Sequence, residues 1–337
     1  MSSPPLRLLA IAKAYRRSQL LYVAAKLGIA DLLATGPRTC NELAESLNAS
    51  PDALCRVMRG LSVIGVFTPE ADGRFALNEM SEPLLEASKD SIRPGIIYLG
   101  EEQYRAWGDL LQTVMTGEPA FRRMFGDPFE YYDEHPDSGE SFDDWMAVAS
   151  RQLAAGIAGG YEFPETGTVV DVAGGEGILL AAVLKPRPAL RGVLFDRASV
   201  IEKARRVLDE EGVLDRCRLV AGDFRREVPD GGDLYILKNI LHDWDDSAAI
   251  EILGACRRAM RGEARLLVIQ RAMPVEPADA PYLRSLVDSD LMQLVYSGGR
   301  ERTEAEFRDL FLAAGLEPRM TTQSQGVAWL MEVGPGR

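Results

Sequence analysis

The sequence predicts an α/β fold: a doubly wound, mostly parallel sheet preceded by a smaller helical module. Three observations lead there. From Thr168 onward, short β-branched runs alternate with helical stretches, the pattern of strands joined by crossover helices. The first of these runs ends in a glycine-rich turn, Ala173-Gly174-Gly175-Glu176-Gly177, where a ligand can approach bare backbone. Before residue 100 the apolar spacing is helical, apart from one small hairpin.

In chain order, Leu20–Ala25 leads into Leu27–Leu33, and Gly36-Pro37 ends the run. Thr39 and Glu42 have the spacing of a capping box. Ser50-Pro51 opens a further helix with Leu54, Val57, Met58 and Leu61 on one face. Val66–Thr68, the turn Asp72-Gly73 and Arg74–Leu77 read as a hairpin. Helix, helix, hairpin is a winged-helix pattern over residues 1–100. Residues 101–165 read as a helical segment rich in Tyr, Trp, Phe and Met, fit either for plain core or for lining a flat apolar pocket. Residues 166–337 carry the sheet, with strands expected at Thr168–Val172, Arg191–Asp196, Cys217–Asp223, Asp233–Lys238, Arg265–Gln270 and Val327–Val333.

Composition narrows the function. With 46% hydrophobic and 26% charged residues, the 337-residue chain can bury a sizeable core. No apolar run approaches the roughly 18 residues of a membrane span, and Met1–Pro5 shows no secretory signal, so a cytoplasmic protein is expected. The net charge of −13 opposes a nucleic-acid or anionic-membrane role. Residues 1–100 hold 11 basic and 10 acidic side chains, a net of +1, too little for a DNA-binding face. That module is better read as a packing or dimerising one. Cys40, Cys55, Cys217 and Cys256 form no C-x-x-C and lie near no histidine, so reduced structural thiols are expected and a metal site is not. His135 and His242 are the only histidines.

The chemistry gathers at strand ends. Leu194-Phe195-Asp196 closes the second strand, 25 residues after Asp171, where an acid can take both hydroxyls of a ribose. G-x-G-x-x-G is absent, which disfavours a pyrophosphate cradle. Gly222-Asp223-Phe224 follows the third strand, and an acid beside an aromatic there suits an adenine. The three sites point to an adenosine-containing ligand without a diphosphate. His242 falls just beyond the fourth strand, on the ligand side of the sheet.

These residues carry a resemblance. V-D-V-A-G-G-E-G, L-F-D with V-I-E-K-A, A-G-D-F, L-K-N-I-L-H-D-W-D-D and G-G-R-E-R-T-E-A-E-F are together similar to the S-adenosylmethionine-dependent O-methyltransferases of small aromatic molecules. This family of plant phenol methylators and bacterial antibiotic-tailoring enzymes resembles the chain over nearly its whole length. The resemblance implies a Rossmann-like class I methyltransferase domain, a homodimer built through the N-terminal module, S-adenosyl-L-methionine as cofactor, and His242 as general base. It implies that Gly174 and Gly175 line the cofactor turn, Asp196 holds the ribose, Asp223 and Phe224 hold the adenine, and Lys238 lies near the adenosine. By the same resemblance Phe142 and Met146 flank the methyl-donor pocket, and Asp290 contacts the aromatic substrate.

Two positions depart from the family pattern. Ala173 stands for the first glycine of the turn, and Gln270 stands where an acid usually follows the fifth strand, leaving Glu301 as the carboxylate that orients the base. An amide can orient an imidazole without stabilising its charged form. The chemistry expected is methylation of a phenolic hydroxyl. A methyltransferase-fold enzyme performing C-methylation or another tailoring step is the alternative, and a winged-helix regulator a more remote one.

Overall fold

The computed structural model describes residues 3–88, 91–274, 280–324 and 328–336. They form two compact units: the described residues up to Arg105 with Glu140–Val148, and Ala106–Gly139 with the described residues from Ala149 onward. The segment 101–165 is therefore divided between the two. Among the described residues no helix is long and apolar enough to cross a membrane.

The first unit is helical, with a three-stranded sheet of β1 (Arg38–Thr39), β2 (Thr68–Pro69) and β3 (Arg74–Ala76) in the order β1-β3-β2. The Thr39–Glu42 capping box forms as the spacing requires, with the Glu42 carboxylate accepting from Thr39 N at 2.7 Å. Ser50 caps the helix Pro51–Val63, which turns Leu54, Met58 and Leu61 into a core shared with Leu43, Phe67 and Phe75. The two-residue β1 was not expected; it pairs antiparallel with β3. The helix Pro4–Ala12 buries none of its residues, and Leu6, Leu8, Leu9 and Ile11 are all more than half exposed.

One expectation for the cysteines is overturned. Cys40 and Cys55 are joined in a disulfide, their Cα atoms 5.2 Å apart, because the helices Cys40–Leu47 and Pro51–Val63 cross at that point. Cys217 and Cys256, in the second unit, remain free thiols.

The second unit holds a seven-stranded sheet. Its strands are β4 (Gly167–Val172), β5 (Leu190–Asp196), β6 (Cys217–Ala221), β7 (Leu234–Lys238), β8 (Arg265–Gln270), β9 (Leu316–Ser324) and β10 (Ala328–Pro335). The order is β6-β5-β4-β7-β8-β10-β9, with β10 antiparallel to both its neighbours and the other pairs parallel. β4, β7 and β8 are nearly continuous apolar runs because helices cover both faces, with separate cores on the two sides. The third strand stops at Ala221, short of the expected Asp223. β9 was not expected. Its sequence, Leu-Glu-Pro-Arg-Met-Thr-Thr-Gln-Ser, lacks an apolar run because an edge strand keeps most of its side chains in solvent. The order reverses between β4 and β7, and the loops after their carboxyl ends form the crevice where such sheets bind ligands.

Candidate active site

The turn after β4 is shaped by backbone and packing together. Ala173, Gly175 and Gly177 all take left-handed backbone angles, φ +55°, +59° and +78°. Ala173 holds that angle at a cost of about 1 kcal/mol, with its N–H donating to Phe195 O at 2.7 Å. Asp196, at the end of β5, accepts from Gly175 N at 2.8 Å and from Arg197 N at 2.7 Å, tying the turn to the neighbouring strand. A side-chain carbon at Gly174 would collide with Leu194 and the Asp171 carboxyl, whereas Gly175 faces open space.

Beneath this turn Asp171 is 1% exposed, and its Oδ2 has no hydrogen-bond partner in the structure. Burial pushes its carboxyl up to about 7, with Lys238 opposing. Lys238, at the end of β7, donates to Ser150 Oγ at 3.2 Å; burial lowers its ammonium, and Asp171 holds the charge in place. An open left-handed glycine, a strand-end acid and a buried orphaned carboxylate oxygen make a cradle that fits the polar groups of a nucleoside-type cofactor.

Asp223 and Phe224 sit beyond β6. The Asp223 carboxylate is gripped by Arg225, which reaches it through N, Nε and Nη2 at 3.0–3.1 Å. Burial works against its ionisation, but these bonds hold its pKa below the usual carboxylate range. Phe224 meets Trp244 edge-on, with ring centres 6.2 Å apart.

His242 lies in the single 3-10 turn Leu241–Asp243 after β7, and its loop is held from three sides. Arg302, fully buried, donates to the carbonyls of Leu241 and Trp244 at 2.8 Å each and to Asp246. Gly299 packs so closely that a side-chain carbon there would strike the His242 carbonyl. One end of the Gln270 amide faces the N–H groups of Ile240 and Leu241 and the other faces only acceptors, so the orientation that satisfies both turns its carbonyl oxygen to the two N–H groups, at 2.9 Å each. This corrects the expected role of Gln270: it holds the backbone ahead of His242 rather than the imidazole.

The imidazole meets two carboxylates. Its Nδ1 is 3.0 Å from Glu301 Oε1, and its Nε2 is 3.7 Å from Asp243 Oδ1. Ser289 Oγ donates to the same Glu301 oxygen at 2.6 Å, and Arg271 Nη2 stands 3.7 Å from it. Burial works against a charged His242, but Asp243 and Glu301 outweigh burial and the opposing Arg271, so its pKa lies above the ordinary value. Glu301 is fully buried; its bonds to His242 and Ser289 overcome that burial and keep its carboxyl below the usual range. Accepting from Nδ1–H, Glu301 leaves the lone pair on Nε2, the tautomer a proton acceptor needs.

Of the other expected site residues, Asp290 accepts from Glu301 N at 2.9 Å, so its carboxylate supports the loop that carries Glu301. Phe142 and Met146 lie in Glu140–Val148, within the first unit, where the Phe142 ring meets Tyr98 at 5.6 Å and Met146 is partly exposed. The sequence reading gave no role to Asp171, Asp243, Arg271, Ser289 or Arg302. All but Asp171 lay next to a residue it singled out: Asp243 beside His242, Arg271 beside Gln270, Ser289 beside Asp290 and Arg302 beside Glu301.

A turn that fits a nucleoside-type cofactor and a histidine–carboxylate pair, both at strand ends of one doubly wound sheet, are the features of a cofactor-dependent group-transfer enzyme. Residues 107–317 match the O-methyltransferase domain and residues 9–87 the O-methyltransferase dimerisation domain, and the chain belongs to the O-methyltransferase family. It is 44% identical over 309 residues to the phenazine O-methyltransferase PhzM of Lysobacter antibioticus, across 91% of this chain and 89% of that one. Its fold matches the crystal structure of LaPhzM with a TM-score of 0.93, at 41% identity over 99% of this chain and 100% of that one. An O-methyltransferase from neocarzinostatin biosynthesis, solved with S-adenosylmethionine and 2-hydroxy-5-methyl naphthoic acid, matches with a TM-score of 0.84, at 31% identity over 95% and 96% of the two chains.

Proposed function

We propose that the protein transfers a methyl group from S-adenosyl-L-methionine to a phenolic hydroxyl of a small aromatic metabolite, in the tailoring of an antibiotic-like product. The observation that carries this is the His242–Glu301 pair, 3.0 Å apart at the carboxyl edge of the sheet that also presents the Ala173–Gly177 turn.

When bound, S-adenosylmethionine supplies an electrophilic methyl on a sulfonium. Gly174 and Gly175 give its methionine end access to backbone, Asp196 takes the ribose, Asp223 and Phe224 bound the adenine, and Lys238 lies on the adenosine side. A phenol titrates near pKa ~10 and is mostly protonated at neutral pH. His242 Nε2 takes that proton as the phenolic oxygen attacks, and Glu301 stabilises the imidazolium that results. Holding acceptor and donor in line contributes several kcal/mol to the rate, and no covalent enzyme intermediate is required. Asp290 is assigned to the acceptor side.

The winged-helix-like segment belongs to the dimerisation domain, and the exposed Leu6, Leu8, Leu9 and Ile11 suit a homodimer interface better than a DNA-binding face. We place the enzyme in the cytoplasm with its cofactor, where the Cys40–Cys55 bond makes it one of the less common intracellular proteins with a disulfide.

The test is a panel of phenols incubated with methyl-labelled S-adenosylmethionine and read by mass spectrometry and NMR. The label on a phenolic oxygen is the expected result. A label on ring carbon would move the assignment to C-methylation, and no transfer to any aromatic acceptor would overturn it.

A further inference from the structure

Two carboxylates facing one buried imidazole create a difficulty for a base. Asp243 approaches Nε2 and Glu301 holds Nδ1. Between them they favour imidazolium, which has no lone pair to offer. With ionised Asp243 and Glu301, the group carries −2 when His242 is neutral and −1 when it is protonated, so the pair alone would draw a proton onto the ring.

A third charge answers this. Arg271 follows β8 directly, and its guanidinium lies between two elements of the site. Nη1 donates to Ser285 Oγ at 3.1 Å and to the Ser285 carbonyl at 3.4 Å, which anchors it on the helix Ala280–Tyr296. Nη2 stands 3.7 Å from Glu301 Oε1, the same oxygen that meets His242 Nδ1 at 3.0 Å and Ser289 Oγ at 2.6 Å. One fully buried carboxylate oxygen therefore faces the imidazole, a guanidinium and a hydroxyl. Arginine remains protonated throughout the working range, so its share of that oxygen does not change with pH while that of His242 does.

We propose that Arg271 is a positioning residue: it competes with His242 for the Glu301 carboxylate, and so limits how tightly the two carboxylates hold a proton on the imidazole that must act as the base. Charged neighbours of the ring come from each element packed on it: Asp243 from its own turn, Glu301 from the loop after Gly299, and Arg271 from the end of β8. Gln293 and Ser289, from the helix Ala280–Tyr296, bond the two carboxylates without adding charge. With Arg271 present the neutral-histidine state carries −1 and the protonated state 0, which weakens the pull toward protonation. The effect of removing a partly screened charge several ångströms away is a shift of about half to one pH unit.

This inference rests on His242 being the base, and the experiment separates the two. The chain has only two histidines, so imidazole signals of histidine-labelled protein are assigned with a single His135→Gln variant, and His135, stacked on Tyr131, serves as internal reference. The His242 titration is followed in wild type, Arg271→Gln and Arg271→Lys, alongside the pH profile of kcat/KM. Arg271→Gln should move the His242 titration, and with it the acidic limb of the profile, to higher pH, with the high-pH plateau kept within about threefold. Arg271→Lys should restore both. A His242 titration unmoved in a folded Arg271→Gln protein overturns the inference, as does a uniform loss of rate at every pH. A titration that moves while the rate profile does not upholds the charge competition and instead removes His242 from the role of base. Should Arg271→Gln not fold, Arg271→Met, which keeps an apolar stem and removes the charge, must still shift the His242 titration, and no shift there overturns the inference.

Discussion

The buried guanidinium of Arg302 donates to the carbonyl of Leu241, the residue before His242, at 2.8 Å. A second bond to Trp244 O brackets the His242-Asp243 pair, and the Asp246 carboxylate completes the clamp through Oδ1. The position of His242 is thus fixed from a different loop, the one that also supplies Glu301. A single backbone segment, Arg300–Thr303, sets both His242 and its carboxylate partner.

Arg302→Met should therefore cost both stability and rate. Two buried carbonyls lose their donors and Asp246 loses one of its two arginine partners, for a loss of about 2–4 kcal/mol. Thermal unfolding should fall by several degrees, and kcat should drop by an order of magnitude or more in the protein that remains folded. Arg302→Lys should recover only part, since one ammonium cannot span both carbonyls. An Arg302→Met enzyme with normal melting temperature and kcat would remove the clamp from the account.

Glu301→Gln tests the partner of the base. Losing a carboxylate that raises the His242 pKa lets the pKa fall, so the acidic limb of the rate profile should move to lower pH. The plateau should drop by about tenfold to a hundredfold as the imidazolium loses its stabilising charge. An acidic limb that stays in place would mean Asp243 alone sets the titration.

At the cofactor turn, Asp196→Ala should weaken S-adenosylmethionine binding by about 1–3 kcal/mol, the scale of charged hydrogen bonds. The same change frees Gly175 N, so the turn loosens as well. Titration calorimetry reads the effect directly, and unchanged affinity would displace the ribose from this strand end.

Two neighbouring glycines should respond differently. Gly174→Ala drives a methyl into Leu194 and the Asp171 carboxyl, and overpacking of this kind costs about 1–3 kcal/mol. Gly175→Ala meets open space and only a left-handed angle, at about 1 kcal/mol. Denaturant unfolding of both variants should rank Gly174→Ala as the less stable; the reverse order would contradict the packing described.

Much of this was legible in the sequence, for reasons that differ by element. β4, β5, β7 and β8 showed because strands buried on both faces are apolar throughout. The capping box at Thr39 and Glu42 showed because its chemistry is local. β9 did not show, since an edge strand in which, among its described side chains, only Leu316 is buried carries no apolar run. The Cys40–Cys55 bond depends on how two helices cross, which spacing does not record. That His242 and Glu301 meet follows the expectation from sequence, but what surrounds them could not be read there. Gln270 was expected beside the imidazole and bonds instead to the two N–H groups ahead of it. Arg302 and Arg271 act across loops distant in sequence, through contacts that exist only after the sheet has closed.

The central claim is that His242 takes the acceptor's proton, and the most direct measurement is the turnover of His242→Ala beside its affinity for S-adenosylmethionine. The account predicts a folded protein that binds the cofactor as wild type does, with kcat lowered by about 10²–10⁴. A His242→Ala enzyme that methylates its phenol at a near-normal rate would contradict it.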